Sequence, residues 1–185
     1  TCDTTNRFVV HELPSFRSAD TWPCSYAGTL PSNADGSHNL FFWAYPSSAE
    51  SAPVVIWLNG GPGSSSIFAN FLMNGPMRIS ESAEGTFEMY RTPETWIDLA
   101  TVFYIDQPVG TGFSYGTPLD TTLDEAADEF IFFLKNLFEV FPVLAGKDLY
   151  MSGESYSGKY IPMYSWALLQ AKTFNLKASL IGDPY

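Results

Sequence analysis

Basic residues are scarce: 9 Lys and Arg stand against 20 Asp and Glu, a formal net charge of −11 over 185 residues. Neutralising a phosphate backbone needs clustered Lys and Arg, and no such cluster occurs, so nucleic acid is excluded as a partner. Long apolar runs are missing too. Stretches such as Phe130-Ile131-Phe132-Phe133-Leu134 end at charges soon afterwards, far short of the ~20 residues a spanning helix needs, so no membrane segment is expected. There is no Asn-x-Ser/Thr sequon, no internal repeat and no low-complexity tract. The chain starts at Thr1 with neither Met nor a basic-then-apolar leader, as expected where a signal peptide has been removed or never included.

Cysteine is nearly absent. Cys2 and Cys24 both lie near one end, where a disulfide would tie down an otherwise frayed terminus. In an oxidising compartment such a bridge would contribute ~3 kcal/mol in the chain-entropy model. The alternatives are two free thiols, or two half-cystines with partners elsewhere.

What is present suffices for a core: 45% of residues are hydrophobic and 16% aromatic, in a length that suits one globular domain. Ser25–Leu30 and His38–Tyr45 flank the turn signal Asn33-Ala34-Asp35-Gly36 and read as a β-hairpin. Pro53–Leu58 is an unalternating apolar run, the mark of a strand buried on both faces of a parallel sheet. Thr101–Ile105, Asp148–Ser152 and Lys177–Gly182 read the same way. Leu123, Ala126, Ala127, Phe130, Leu134, Leu137, Phe138 and Phe141 recur at helical spacing. That helix opens with a Thr122-x-x-Glu125 capping box and stops at Pro142. A second helix spans Tyr160–Lys172, with Pro162 tolerated in its first turn. Strands alternating with helices predict an α/β sheet with right-handed crossovers, extended by the antiparallel hairpin.

The sharpest local feature is Gly153-Glu154-Ser155-Tyr156-Ser157-Gly158, directly after one predicted strand and before a helix. A serine at such an elbow projects from the carboxyl edge of the sheet, and the helix N-terminus favours negative charge beside it. Ser155 is therefore the candidate nucleophile, although Ser157 occupies the position where a glycine is commoner. A Gly- and Ser-rich turn without catalytic task is the plain alternative. Asn59-Gly60-Gly61-Pro62-Gly63-Ser64-Ser65-Ser66, after the first buried strand, has glycines that free backbone N–H groups to face an anion. Acyl transfer needs two donors at the developing oxyanion, and the N–H groups of Tyr156 and Gly61 fit that need. The loop lacks Walker-A and Gly-x-Gly-x-x-Gly spacing, so it is not a nucleotide cradle. Neither cofactor nor metal is expected.

Trp57-Leu58-Asn59-Gly60-Gly61-Pro62-Gly63, Ile105-Asp106-Gln107-Pro108-Val109-Gly110-Thr111-Gly112-Phe113-Ser114-Tyr115 and Gly153-Glu154-Ser155-Tyr156-Ser157-Gly158-Lys159-Tyr160 together resemble the serine carboxypeptidase family. The resemblance runs from about Ser25 to Pro184. It implies an α/β-hydrolase fold, a secreted, vacuolar or lysosomal setting, and removal of C-terminal residues from peptides at acid pH. It makes Ser155 the nucleophile, with Gly61 and Tyr156 N–H as the oxyanion hole. Trp57, Asn59, the Gly60 N–H and Glu154 would hold the substrate's terminal carboxylate. Glu154 can donate a hydrogen bond to that carboxylate only while protonated, since two ionised carboxylates in contact repel, so low pH should favour binding.

A serine nucleophile needs a base oriented by a carboxylate, in the chain order Ser, Asp, His for this fold. Only His11 and His38 exist, and both precede Ser155. They read as ordinary surface or partly buried histidines, and Asp183 resembles a family loop rather than the triad acid. Residues 1–185 are thus expected to be the N-terminal portion of one α/β-hydrolase domain, about the first two fifths of a family member. The lid, Asp and His are expected on a companion segment, either a second chain or a continuation, without which this chain is inactive. Ser64 replaces a cysteine that in many relatives bridges to the later half. Rival readings are acyl transfer or ester hydrolysis on the same scaffold, and a non-catalytic carboxypeptidase-like binding protein.

Overall fold

The structure is a computed structural model that describes residues 2–14, 16–17, 20–81 and 83–185. It is built on a seven-stranded mixed sheet. The chain opens with β1 (Val9–Val10), β2 (Ser25–Pro31), β3 (Asn39–Tyr45) and β4 (Val54–Leu58). A short helix α1 (Ile67–Leu72) and a separate two-stranded hairpin, β5 (Met77–Glu81) with β6 (Phe87–Arg91), come before β7 (Thr101–Asp106). Then α2 (Leu123–Val140), β8 (Asp148–Glu154), α3 (Ser157–Ala171) and β9 (Asn175–Gly182) alternate. The strand order is β1-β2-β3-β7-β4-β8-β9. The first three strands pair antiparallel up to the β3–β7 junction, and β7, β4, β8 and β9 run parallel.

Alternation along the buried strands divides the core in two. Phe42, Val54, Ile56, Phe103, Ile105 and Met151 face α2 and α3, whose Phe130, Leu134, Tyr160 and Tyr164 pack against them. Trp43, Tyr45, Trp57, Val102 and Tyr104 point to the opposite face, covered by Ala69 of α1 and Met77 of β5. Cys2 and Cys24 are joined by a disulfide. It holds the N-terminal arm so that β1 pairs with β2 and Phe8 packs edge-on to Phe42, ring centroids 5.3 Å apart.

The capping box at Thr122 is formed in both directions: Glu125 N–H donates to Thr122 Oγ1 at 3.2 Å, and Thr122 N–H to Glu125 Oε2 at 3.1 Å. The second helix departs from expectation. It begins at Ser157, three residues before Tyr160, so Pro162 lies past its first turn. The physical reason is the elbow, which turns the chain straight into helix with no intervening loop.

Candidate functional site

β4, β7 and β8 all end on the same edge of the sheet, with Leu58 beside Gly153 in the register. In open α/β sheets that carboxyl edge is where ligands bind. Ser155 follows Glu154, the last residue of β8, and has φ of +60°, the left-handed region that a non-glycine residue rarely takes. The strain is over-determined by neighbours. Ser155 N–H donates to the Gly182 carbonyl at 3.1 Å, and its own carbonyl accepts from Gly158 N–H at 2.8 Å and Tyr185 N–H at 3.1 Å. Ser157, at the elbow's fifth position, is fully buried and donates its Oγ to the Leu58 carbonyl at 2.6 Å. A glycine there could not satisfy that carbonyl, which accounts for the serine. Gly153 allows the same packing: a Cβ would lie 2.2 Å from the Leu58 oxygen.

The glycine-rich loop sits directly on the elbow. A Cβ at Gly60 would stand 2.4 Å from Tyr156 N and 2.8 Å from the Glu154 oxygen, so only glycine lets the two backbones meet. Among the described residues no acceptor takes the N–H of Gly61 or of Tyr156. Gly61 is exposed, and Glu154, Ser155 and Tyr156 are half-buried. The ring of Tyr156 is held edge-on to Tyr160, centroids 5.1 Å apart, and stacks on Tyr185 at 6.0 Å. Trp57 and Asn59, both buried, meet through a hydrogen bond of 2.7 Å from Trp57 Nε1 to Asn59 Oδ1. Trp57 also packs edge-on to Trp96, centroids 5.3 Å apart. The residues predicted from sequence thus lie at one sheet edge: Trp57 near the end of β4 with Asn59, Gly60 and Gly61 in the loop that follows, and Glu154 at the end of β8 with Ser155 and Tyr156 in the elbow. They combine a strained serine, free N–H groups and a half-buried carboxyl, and free N–H groups beside a serine are suited to holding the oxyanion of acyl transfer.

No histidine among the described residues hydrogen-bonds Ser155. His11 is exposed in the N-terminal arm. His38 is more deeply placed than its sequence context suggested: only 7% exposed, it pairs through Nδ1 with Glu129 of α2. Its tendency to lose a proton on burial is outweighed by the Glu129 hydrogen bond and charge, then by the Thr117 backbone, so it titrates above its ordinary value. Ser32 Oγ donates to the second Glu129 oxygen at 2.8 Å. Asp120 completes the group, with ligand-type atoms of the three residues within 4.8 Å of one another. The Glu129 carboxylate and the Thr117 backbone both favour the protonated ring of His38, and in that form neither ring nitrogen keeps a lone pair for a metal. Nothing in the local sequence marks this pairing, because its partners lie 91 residues apart.

Among the described residues no helix is long and apolar enough to cross a membrane. The family model of serine carboxypeptidases matches residues 17–185. The pheromone-processing carboxypeptidase KEX1 of Ogataea parapolymorpha is 35% identical over 188 residues, covering 95% of this chain and 30% of that protein. Serine-type carboxypeptidase F of Aspergillus niger is 40% identical over 164 residues, covering 86% of this chain and again 30% of the relative. The chain therefore spans about a third of the length of these relatives. The crystal structure of Kex1(delta)p, a prohormone-processing carboxypeptidase from Saccharomyces cerevisiae, matches with a TM-score of 0.85 at 30% identity, over 96% of this chain and 43% of that one. The fold is accordingly the N-terminal region of an α/β-hydrolase. Since the family's sequence pattern runs through nearly all of the chain and its backbone follows the yeast enzyme's, this chain belongs to the serine carboxypeptidase family.

Proposed function

We propose that the protein carrying this chain is a serine-type carboxypeptidase that releases C-terminal residues from peptides through an acyl-enzyme on Ser155. The observation that supports it most directly is the φ of +60° at Ser155, on an elbow against which the Gly60 backbone is packed. In this reading Ser155 Oγ gives its proton to a histidine beyond residues 1–185 as it attacks the scissile carbonyl, and the peptide nitrogen leaves with that proton. Water then attacks the acyl carbonyl and returns Ser155 to its hydroxyl form. Tyr156 and Gly61 N–H groups take the oxyanion, while Trp57, Asn59, Gly60 and Glu154 hold the terminal carboxylate.

The Asp and His of the triad come from a companion segment, covalently continuous or a second chain. The condition of β9 supports this: among the described residues β8 is its one strand partner, and Leu180 on it and Trp166 and Leu169 on α3 are more than a third exposed. Apolar surface beside an open strand edge is normally covered. Binding helped by a protonated Glu154 suits acid pH, and the Cys2–Cys24 bridge suits an oxidising secretory, vacuolar or lysosomal lumen.

The test uses the full-length protein and a peptide with a free C-terminus alongside its C-terminal amide. Release of the last residue from the acid, strong preference over the amide, and loss on the order of 10⁶-fold in Ser155→Ala are expected. Preference for the amide, or activity surviving in Ser155→Ala, would overturn the assignment. Equal turnover of simple esters without any need for the carboxylate would favour an esterase instead.

A further inference from the structure

Asp106 is the last residue of β7, and its side chain is fully buried. Among the described residues no cation pairs with it. Three hydrogen-bond donors do so instead, and they come from two loops. Ser65 Oγ at 2.6 Å and Ser66 N–H at 2.8 Å bond Oδ1, and Phe113 N–H at 3.0 Å bonds Oδ2. Burial pushes the carboxyl up from its ordinary value, and Ser65, then the backbone N–H groups of Phe113, Ser66 and Ile67, pull it back.

The bonds continue from these donors to the reacting edge. Ser66 Oγ donates to the Ile105 carbonyl at 2.6 Å and accepts Asn59 N–H at 3.0 Å. Asn59 leads into Gly60, whose backbone lies against Tyr156, and on to Gly61. On the other side, Ser114 Oγ donates to the Asp106 carbonyl at 2.6 Å, and Gly112 comes so close that a Cβ would sit 2.1 Å from Oδ2. The glycine loop and the Gly110–Ser114 loop are therefore both referred to one side chain.

The geometry points to Asp106 as a positioning residue: by accepting from Ser65, Ser66 and Phe113 it sets where the Asn59–Gly61 donors stand relative to Ser155, without itself touching substrate. This rests on the acyl-transfer reading above. An asparagine would keep the size but offer one acceptor oxygen and one amide donor. In either orientation one of the two loops then faces a donor with a donor, and moves.

The test compares full-length wild type, Asp106→Asn and Ser65→Ala in two measurements: the rate of Ser155 labelling by a fluorophosphonate, and kcat on a peptide, counted per serine that labels at endpoint. Displacing catalytic groups by about 1 Å costs on the order of 100-fold. Asp106→Asn is expected to lose that much in both quantities, and Ser65→Ala about 5-fold through one lost hydrogen bond. A merely structural role would lower the fraction of labelled serine and leave both per-site quantities at wild-type values, which would overturn the proposal. Should Asp106→Asn fail to fold, an unaltered labelling rate in Ser65→Ala overturns it alone. A wild type that labels but releases no C-terminal residue sinks the carboxypeptidase reading while the labelling rates still decide Asp106. A wild type that does neither overturns both.

Discussion

Trp57 donates its indole N–H to Oδ1 of Asn59 at 2.7 Å, inside the buried floor of the glycine loop. The bond fixes which way the Asn59 amide lies, because the oxygen is taken and the NH₂ end remains as donor. Replacing Trp57 with Phe keeps an aromatic body against Trp96 and frees the amide to turn. KM for peptides with a free C-terminus should rise about 5-fold, the worth of one net hydrogen bond, with kcat little changed. Steady-state kinetics on the full-length protein checks this, and a fall in kcat at constant KM would contradict it.

Glu154 closes β8 beside Ser155, the proposed nucleophile. If it meets the substrate carboxylate as a protonated donor, wild-type KM rises as pH rises and Glu154→Gln, a permanent donor, shows a flat KM across the same range. Peptide hydrolysis measured from acid to neutral pH decides, and an unaltered pH dependence in the variant counts against the assignment.

The His38–Glu129–Asp120 group should make the fold more stable in acid. His38 has its folded value raised above the ordinary 6.5. Its stabilisation is therefore complete below 6.5 and is lost as pH climbs through the raised value. Asp120 is pushed up from 3.8 to about 6, by burial first and then by the Glu129 charge, with His38 opposing. The folded chain then holds more protons than the unfolded one between those values, so stability again falls as pH rises. Thermal melting should show Tm declining from acid toward neutral pH. The double variant His38→Gln with Asp120→Asn should flatten that decline, and a Tm that increases over this interval in the wild type would contradict the sign.

Removing the Cys2–Cys24 bridge by alanine substitution should cost about 3 kcal/mol for a loop of this size. The loss should act first on the arm that carries β1. Hydrogen exchange at Val9, Val10 and their partners Tyr26 and Ser25 tests the locality: they should exchange faster, while β4 and β8 stay protected.

Much of the fold was legible because its signals are local. The apolar runs at Pro53–Leu58 and Thr101–Ile105, the capping box at Thr122 and the elbow around Ser155 each follow from a few neighbouring residues. Other elements have no such signal. β1 has two residues and exists because β2 and the disulfide hold it. β5 and β6 have weak alternation on a half-exposed hairpin, and α1 has six residues with no side-chain cap. The start of α3 has no local signal either, because residues after a strained elbow can enter a helix without a loop.

By itself the sequence determined the family and the order of its motifs along the chain. A serine between a strand and a helix, a glycine loop after an earlier strand and the absence of a later histidine are facts of order and spacing. Only the tertiary structure decided how those parts are held. Asp106 gathers donors from residues 65, 66 and 113, and His38 finds its counter-charge on Glu129. The reason is physical: a buried charge is tolerated only where partners converge on it, and that convergence is created by the sheet bringing distant strands and loops to one edge.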